Sequence, residues 1–405
     1  MSLATIFADP ARRNVAVLAV AQALFQCTQT MAIATTPLAA YSLLGADKTF
    51  ATVPIFLTHL GLMLTTYPAA ILMGRVGRRA GFSLGASLGV LGAIVSFVAI
   101  WVQSFALLCL GGVMQGSAAA FAWHYRFAAT DVASPEFRAK ALSLVMAGGV
   151  FAGVAGPQIA KWTVNWLDPV IFAGVYIMTG IIAALMLVLM QFIQIPVPAK
   201  TEQGKGGRPL GEIIRQPKFI AAASSSMFGY AVMTLVMSAT PLAMLGCGYG
   251  FNDSATVIQV HVLAMFLPSF FTGHLIQKFG VKNIIIAGVL IEIGCALVNL
   301  AGIDFWNFLF ANLLVGLGWN FCYVGGSTML TTTYKQEERA KVQGFHDFLV
   351  YSMTATAAAL SGTLQAQAGW SVINAAAIPM LMIVLIAMAY LRTKERAAAA
   401  AEQRG

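Results

Sequence analysis

Twelve long apolar runs, separated by short charged or glycine- and proline-containing stretches, make up almost all of this sequence. They fall near residues 14–40, 51–73, 81–101, 104–128, 141–164 and 169–194, then 217–245, 254–277, 282–302, 305–330, 341–367 and 370–391. A bilayer-spanning helix needs roughly 20 mostly apolar residues, so each run is long enough to cross. Charged residues are only 10% of the 405, against about 25% in ordinary soluble domains. A water-exposed surface cannot be covered with so little charge, which excludes a soluble enzyme, a disordered chain and a nucleic-acid binder. The net charge of +9 forms no single patch, because the basic residues sit between the apolar runs.

Those basic residues orient the chain. With twelve spans both termini lie on one side, and the loops of that side carry 21 of the 24 lysines and arginines. The opposite side has Lys48 and Lys161, and Arg126 falls near the end of span four. The positive-inside rule then places both termini in the cytoplasm, in an inner (plasma) membrane of bacterial type. The first run is too long and too glutamine-rich for a cleavable signal and lacks a small-residue cleavage site. Cys27, Cys109, Cys247, Cys295 and Cys322 lie in apolar runs without ligand-like spacing, and read as packing residues. No metal, cofactor or disulfide is expected.

The chain also repeats itself. Leu72-Met73-Gly74-Arg75-Val76-Gly77-Arg78-Arg79 follows span two, and Leu275-Ile276-Gln277-Lys278-Phe279-Gly280-Val281-Lys282 follows span eight. Arg138-Ala139-Lys140 after span four is matched by Arg339-Ala340-Lys341 after span ten, and Gly116 by Gly318. Two six-helix halves of the same orientation are implied, residues 1–194 and 217–405. A polar, Pro/Gly-containing linker at 195–216 joins them. Duplicated bundles of this kind place a solute site near the membrane midplane, where the halves meet.

The short repeated loop resembles the signature of the major facilitator superfamily, roughly G-x-L-a-D-R-x-G-R-R. Gly77, Arg75, Arg78 and Arg79 match it in the first half; Gly273, Leu275, Lys278, Gly280 and Lys282 match in the second. The resemblance covers the whole chain and implies an all-α membrane protein of twelve transmembrane helices in two six-helix bundles. The departures are Ala70 for the usual first glycine, Gly74 for the usual aspartate, and Gly112 for the span-four arginine tied to proton coupling in many drug exporters. Gln158-Ile159-Ala160-Lys161 also stands where the exporter pattern expects a further glycine pair. A different latch from the usual one, and weakened exporter character, follow from these losses.

Polar side chains at membrane depth are costly unless they face the bundle interior or water. Gln22, Gln26 and Gln29, at i, i+4 and i+7, place three amides on one face of span one. They either line a solute cavity or bind neighbouring helices as packing glue. Gln115 in span four, Tyr230 in span seven, and Trp319, Asn320 and Tyr323 in span ten lie at similar depth. Spans one, four, seven and ten border the cavity in the family, so the resemblance makes these eight residues the expected solute site. Asn312 lies on the same span. Aromatic rings beside amides suit a flat, partly apolar organic solute better than an inorganic ion.

Ionisable groups are fewer. His59, His261, Glu292, His346 and Asp347 are candidates for coupling or gating, with Arg75, Arg126 and Asp131 near the terminal side. Because Gly74 cannot latch the halves, Asp347 is expected to pair with Arg75 or Arg126 when the protein opens outward. Gly81, Gly85 and Gly89 on span three, and Gly148, Gly149, Gly153 and Gly156-Pro157 on span five, serve either close packing or sliding of the halves.

The leading expectation is a secondary transporter of a small, planar organic solute working by alternating access, with protons as a candidate second partner and lipid around a monomer. The loop from Tyr125 to Pro135, followed by Arg138, is similar to that of bacterial riboflavin importers in the superfamily. A proton-coupled drug or metabolite exporter is the alternative, and a non-transporting membrane sensor or assembly protein the alternative from another class. An enzyme would need a nucleophile–base pair, metal cluster or phosphate loop, and the sequence shows no such motif.

Overall fold

The computed structural model describes residues 9–133, 138–195 and 207–402. Those residues are almost entirely helical, as a chain immersed in hydrocarbon must be, since every backbone donor and acceptor has to be satisfied internally. Span one runs Pro10–Leu43, started by Pro10 and by the Asp9 carboxylate accepting from the Ala11 amide at 2.9 Å. Spans two to six follow as Val53–Val76, Arg78–Trp101, Phe105–Ala122 continued by Tyr125–Val132, Arg138–Thr163 and Ala173–Met190. After the connector come Pro217–Gly246, the pair Phe251–Phe266 and Ser269–Phe279, Val281–Ala301, Phe305–Leu330, Arg339–Ala368 and Trp370–Glu402 as spans seven to twelve.

Nine helices among the described residues are long and apolar enough to cross a membrane, and the pair in span eight, bent by 45°, makes ten. The remaining two, spans five and eleven, are 26 and 30 residues long. At 1.5 Å per residue that is roughly 39 and 45 Å, ample for a bilayer. Gln343, His346, Asp347, Gln365 and Gln367 make span eleven too polar to stand out by apolarity alone.

Among the described residues two large apolar cores form, with two smaller clusters. One gathers buried residues from Val15 to Ile193, the other from Ile213 to Leu391. They meet along a seam, where Ala34 joins the second core and Val350 and Tyr351 join the first. The connector is not wholly irregular: Leu210–Ile214 is a short helix that buries Ile213. Residues 196–206 lie outside the described part.

The repeated loop has the same backbone in both copies. Gly77 and Gly280 adopt φ of +88° and +82°, each ending one helix and starting the next. An L side chain there would be strained, so glycine is what lets two helices abut without a linker.

The seam is closed at the end away from the termini, the distal face. There the Thr52 hydroxyl accepts from the Gly362 amide at 2.9 Å, Gln158 donates to Gln259 at 2.6 Å, and Lys161 donates to Thr256 at 2.6 Å. Deeper in, a side chain added at Gly149 or Gly153 of span five would meet Phe266, at 2.8 Å, or Val262, at 3.2 Å, of span eight. Towards the terminal face spans two and eight bury few residues. Beyond Leu62, span two buries only Ala69 and Met73, a single stripe turned to its own half, while Leu64, Tyr67, Ile71 and Arg75 are exposed. In the second segment of span eight only Thr272 is buried.

Candidate functional site

An aromatic platform stands at the seam. Trp319 and Tyr323, one turn apart on span ten, stack with centroids 5.2 Å apart and planes 7° from parallel. Tyr230 of span seven stands edge-on to both, at 5.4 and 5.6 Å, and Phe266 meets the edge of Trp319 at 6.3 Å. Tyr230 and Tyr323 pack against both cores, which fixes the platform between the halves. The Trp319 indole nitrogen is buried without a partner among the described residues.

The first half answers with amides and a cation. Gln22 and Gln26 are each 4% exposed, and neither amide hydrogen-bonds another protein group among the described residues. They share the sector of span one that carries Ile33, which packs against the second core. Nearby, Phe25 and Trp123 meet edge-to-face at 5.7 Å. The Arg126 guanidinium lies over the Trp123 and Phe127 rings, within electrostatic reach of Tyr230, Tyr323 and Tyr351.

Other expected solute-site residues turn elsewhere. Gln29 lines a small pocket inside the first bundle with Thr28, Gly89, Gln115 and Tyr125. Gln115 donates to the Gly89 carbonyl at 3.2 Å, so it serves the contact of spans three and four. Asn320 is fully buried and fully engaged: it donates to the Met265 carbonyl and Ser269 hydroxyl, both at 2.7 Å, and accepts from Thr272 at 2.6 Å. These bonds stitch the bend of span eight, leaving the side chain nothing for a solute. Asn312 likewise donates to Thr240 and to the Phe308 carbonyl.

The ionisable residues are dispersed. His261 is buried and bonds the Asn312 carbonyl of span ten at 2.9 Å. His59 bonds the Ile55 carbonyl of its own helix at 2.9 Å. Glu292 is fully buried beneath Gly318 and beside Gly229 and Cys322, and neither oxygen has a partner among the described residues. Asp347 pairs with its neighbour His346 at 3.1 Å, and with neither Arg75 nor Arg126 in this conformation. Arg75 is exposed at the terminal face, and the side chain of Asp131 lies outside the described residues.

Two features escaped the sequence reading. Tyr351, one turn beyond Asp347, was signalled by that i, i+4 spacing. The second is a clasp at the terminal face. Arg208 of the connector grips the buried Glu338 through two side-chain bonds of 3.0 and 2.8 Å and its own amide at 2.7 Å. The Arg208 side-chain bonds, with the Lys335 amide, hold the Glu338 carboxyl well below the usual carboxylate range. A loop pairing between such distant positions has no local sequence signature.

The Major Facilitator Superfamily model matches residues 18–298 and 254–405. A riboflavin transporter of Brucella anthropi, RfnT, is 38% identical over 395 residues, covering 97% of this chain and 99% of that protein. An uncharacterized MFS-type transporter of Bacillus subtilis, YddS, is 31% identical over 81% of each chain. Among solved structures, a bacterial homologue of the human lysosomal transporter Spinster superposes with a TM-score of 0.67 at 15% identity, covering 95% of both chains. The human organic anion transporter MFSD10 gives 0.68 at 12% identity, covering 94% of this chain and 100% of that one. These last two speak for the fold alone. With the paired loop glycines, the two cores and the seam, these matches establish that the chain belongs to the major facilitator superfamily.

Proposed function

We propose that this protein is a secondary transporter that takes up a planar organic solute of riboflavin type across the inner membrane by alternating access. The observation that carries the reading is the stacked Trp319–Tyr323 pair, with Tyr230, at the seam, together with the unpartnered Gln22 and Gln26 amides on the sector of span one whose Ile33 packs against the second core. A flat heteroaromatic ring gains area and stacking from such a platform, and its carbonyl and N–H groups meet amides that can both donate and accept. The riboflavin transporter of Brucella anthropi, similar over nearly its full length, supports the same solute class.

In this account residues 1–194 and 217–405 are the two moving bundles of a monomer, with both termini cytoplasmic. A cysteine at position 47 would then be labelled from outside only. Asp347 latches the terminal face to Arg75 or Arg126 in the outward-open state, and Glu292, His59, His261 and His346 are the groups through which protons would couple. No step of this account breaks or forms a covalent bond in the solute.

The test is uptake of radiolabelled riboflavin by proteoliposomes containing the purified chain, with and without an imposed proton gradient. Saturable uptake competed by unlabelled riboflavin is expected. Uptake no greater than in empty liposomes would overturn the solute assignment.

A further inference from the structure

We propose that Arg126 is a specificity-determining residue of the seam site, reading the acceptor-rich edge of the solute's ring. The proposal rests on the flavin-type reading above and deepens it. A guanidinium stays charged, so at membrane depth it needs an anion, acceptors or π faces. Arg126 has the last, together with one acceptor, the Tyr323 hydroxyl, with which its side chain hydrogen-bonds. Its guanidinium carbon lies 4.8 Å from the Phe127 ring and 5.6 Å from that of Trp123, both on its own stretch of chain. Its Nε is buried without a hydrogen-bond partner, and no carboxylate among the described residues comes within ion-pair distance. Asp347, which shares the neighbourhood of Tyr323 and Tyr351 with it, is turned to His346.

The cation is thus held by two rings and the Tyr323 hydroxyl, with its Nε donor unmet beside the platform formed by Tyr230 and Tyr323. A planar fork of donors matches two adjacent acceptors in one plane. An isoalloxazine offers that pair in the ring nitrogen N1 and the neighbouring C2 carbonyl. A ring lying against Trp319 and Tyr323 would present this edge to Arg126 and keep its N3–H and C4 carbonyl for the glutamine amides. An aromatic hydrocarbon of the same outline would leave the Nε donor without an acceptor, so the residue would select for the heterocycle as well as hold it.

Calorimetric titration of the purified full-length chain with riboflavin and with 1-deazariboflavin, in which N1 is a C–H group, tests this. Wild type should bind riboflavin at least about tenfold more tightly than the deaza analogue. That ratio should fall towards one in Arg126→Ala, and to an intermediate value in Arg126→Lys, which keeps the charge without the fork. A ratio unchanged in both variants, with both affinities lowered equally or not at all, would overturn the assignment and leave Arg126 a gate residue. If Arg126→Ala does not fold, the lysine variant decides by the same ratio. Wild type that binds riboflavin without discriminating the analogue overturns only this inference; wild type that binds neither flavin overturns the solute reading and this inference with it.

Discussion

Spans two and eight hold equivalent places in the two halves, and each carries a proline, Pro68 and Pro268, yet one stays a single helix and the other breaks. A proline inside a helix removes one donor and crowds the carbonyl four residues back. Val53–Val76 absorbs this without interruption, whereas span eight bends by 45° between Phe266 and Ser269. The difference lies in the helix alongside. Span ten offers Asn320, which takes up the Met265 carbonyl, the Ser269 hydroxyl and the Thr272 hydroxyl. Span four offers Ser117, which only accepts from Thr65 at 3.0 Å. Broken backbone at membrane depth persists where protein satisfies the freed groups, so a neighbour's side chain decides whether a proline bends a span.

The comparison can be broken most forcefully at Asn320. Asn320→Ala strands buried groups of span eight and should destabilise the protein by about 1–3 kcal/mol. Ser117→Ala should cost less than about 1 kcal/mol, since it removes a single hydroxyl pair. Equal losses in denaturant unfolding of the detergent-solubilised protein would refute the asymmetry.

A second contrast lies within span one. Gln26→Ala should weaken riboflavin binding by about 0.5–1.5 kcal/mol, roughly two- to tenfold in Kd. Gln29→Ala, whose amide serves the pocket inside the first bundle, should leave Kd unchanged. Calorimetric titration of the two variants separates a cavity-lining stripe from a split one.

Asp347→Asn probes the gate that Gly74 leaves without its usual acid. It should lower turnover more than initial binding, by shifting the population towards the form open at the terminal face. Equal accessibility of terminal-side cysteine probes in wild type and variant would count against that gate.

The smallest effect concerns pH and the clasp, which ties the connector to the second half. The Glu338 carboxyl is lowered by Arg208, so its contribution is fully present above the ordinary glutamate value of about 4.3 and fades as pH falls below it. Wild type should therefore be more stable than Glu338→Gln at neutral pH, and the gap should shrink on acidification below about pH 4. A gap independent of pH would show that the clasp works by shape rather than charge.

The spans, their repeat and the loop glycines were legible because each is a local pattern: an apolar run, a fixed spacing, a residue that tolerates positive φ. The aromatic members of the site were legible too, because span ten puts Trp319 and Tyr323 at i, i+4. Asn320 was not, since its role depends on a break in another helix. Gln26 and Gln29 lie about 60° apart on their helix, and only the packing of its neighbours decides which sector meets the seam. Asp347 was read as a cross-half latch for the outward-open state; in this conformation it meets its neighbour His346, and neither Arg75 nor Arg126 pairs with it among the described residues.

Alternating access requires the two halves to exchange closure between the distal and terminal faces when solute binds between them. Spin labels on span two at position 71 and span eleven at position 348 report the terminal side; labels at positions 50 and 367 report the distal side. Without solute the terminal pair should be far apart and the distal pair close, by double electron–electron resonance. Saturating riboflavin should add a population in which the terminal distance shortens while the distal distance lengthens. Distances that do not respond to riboflavin, or that change in the same sense at both ends, would contradict alternating access around this site.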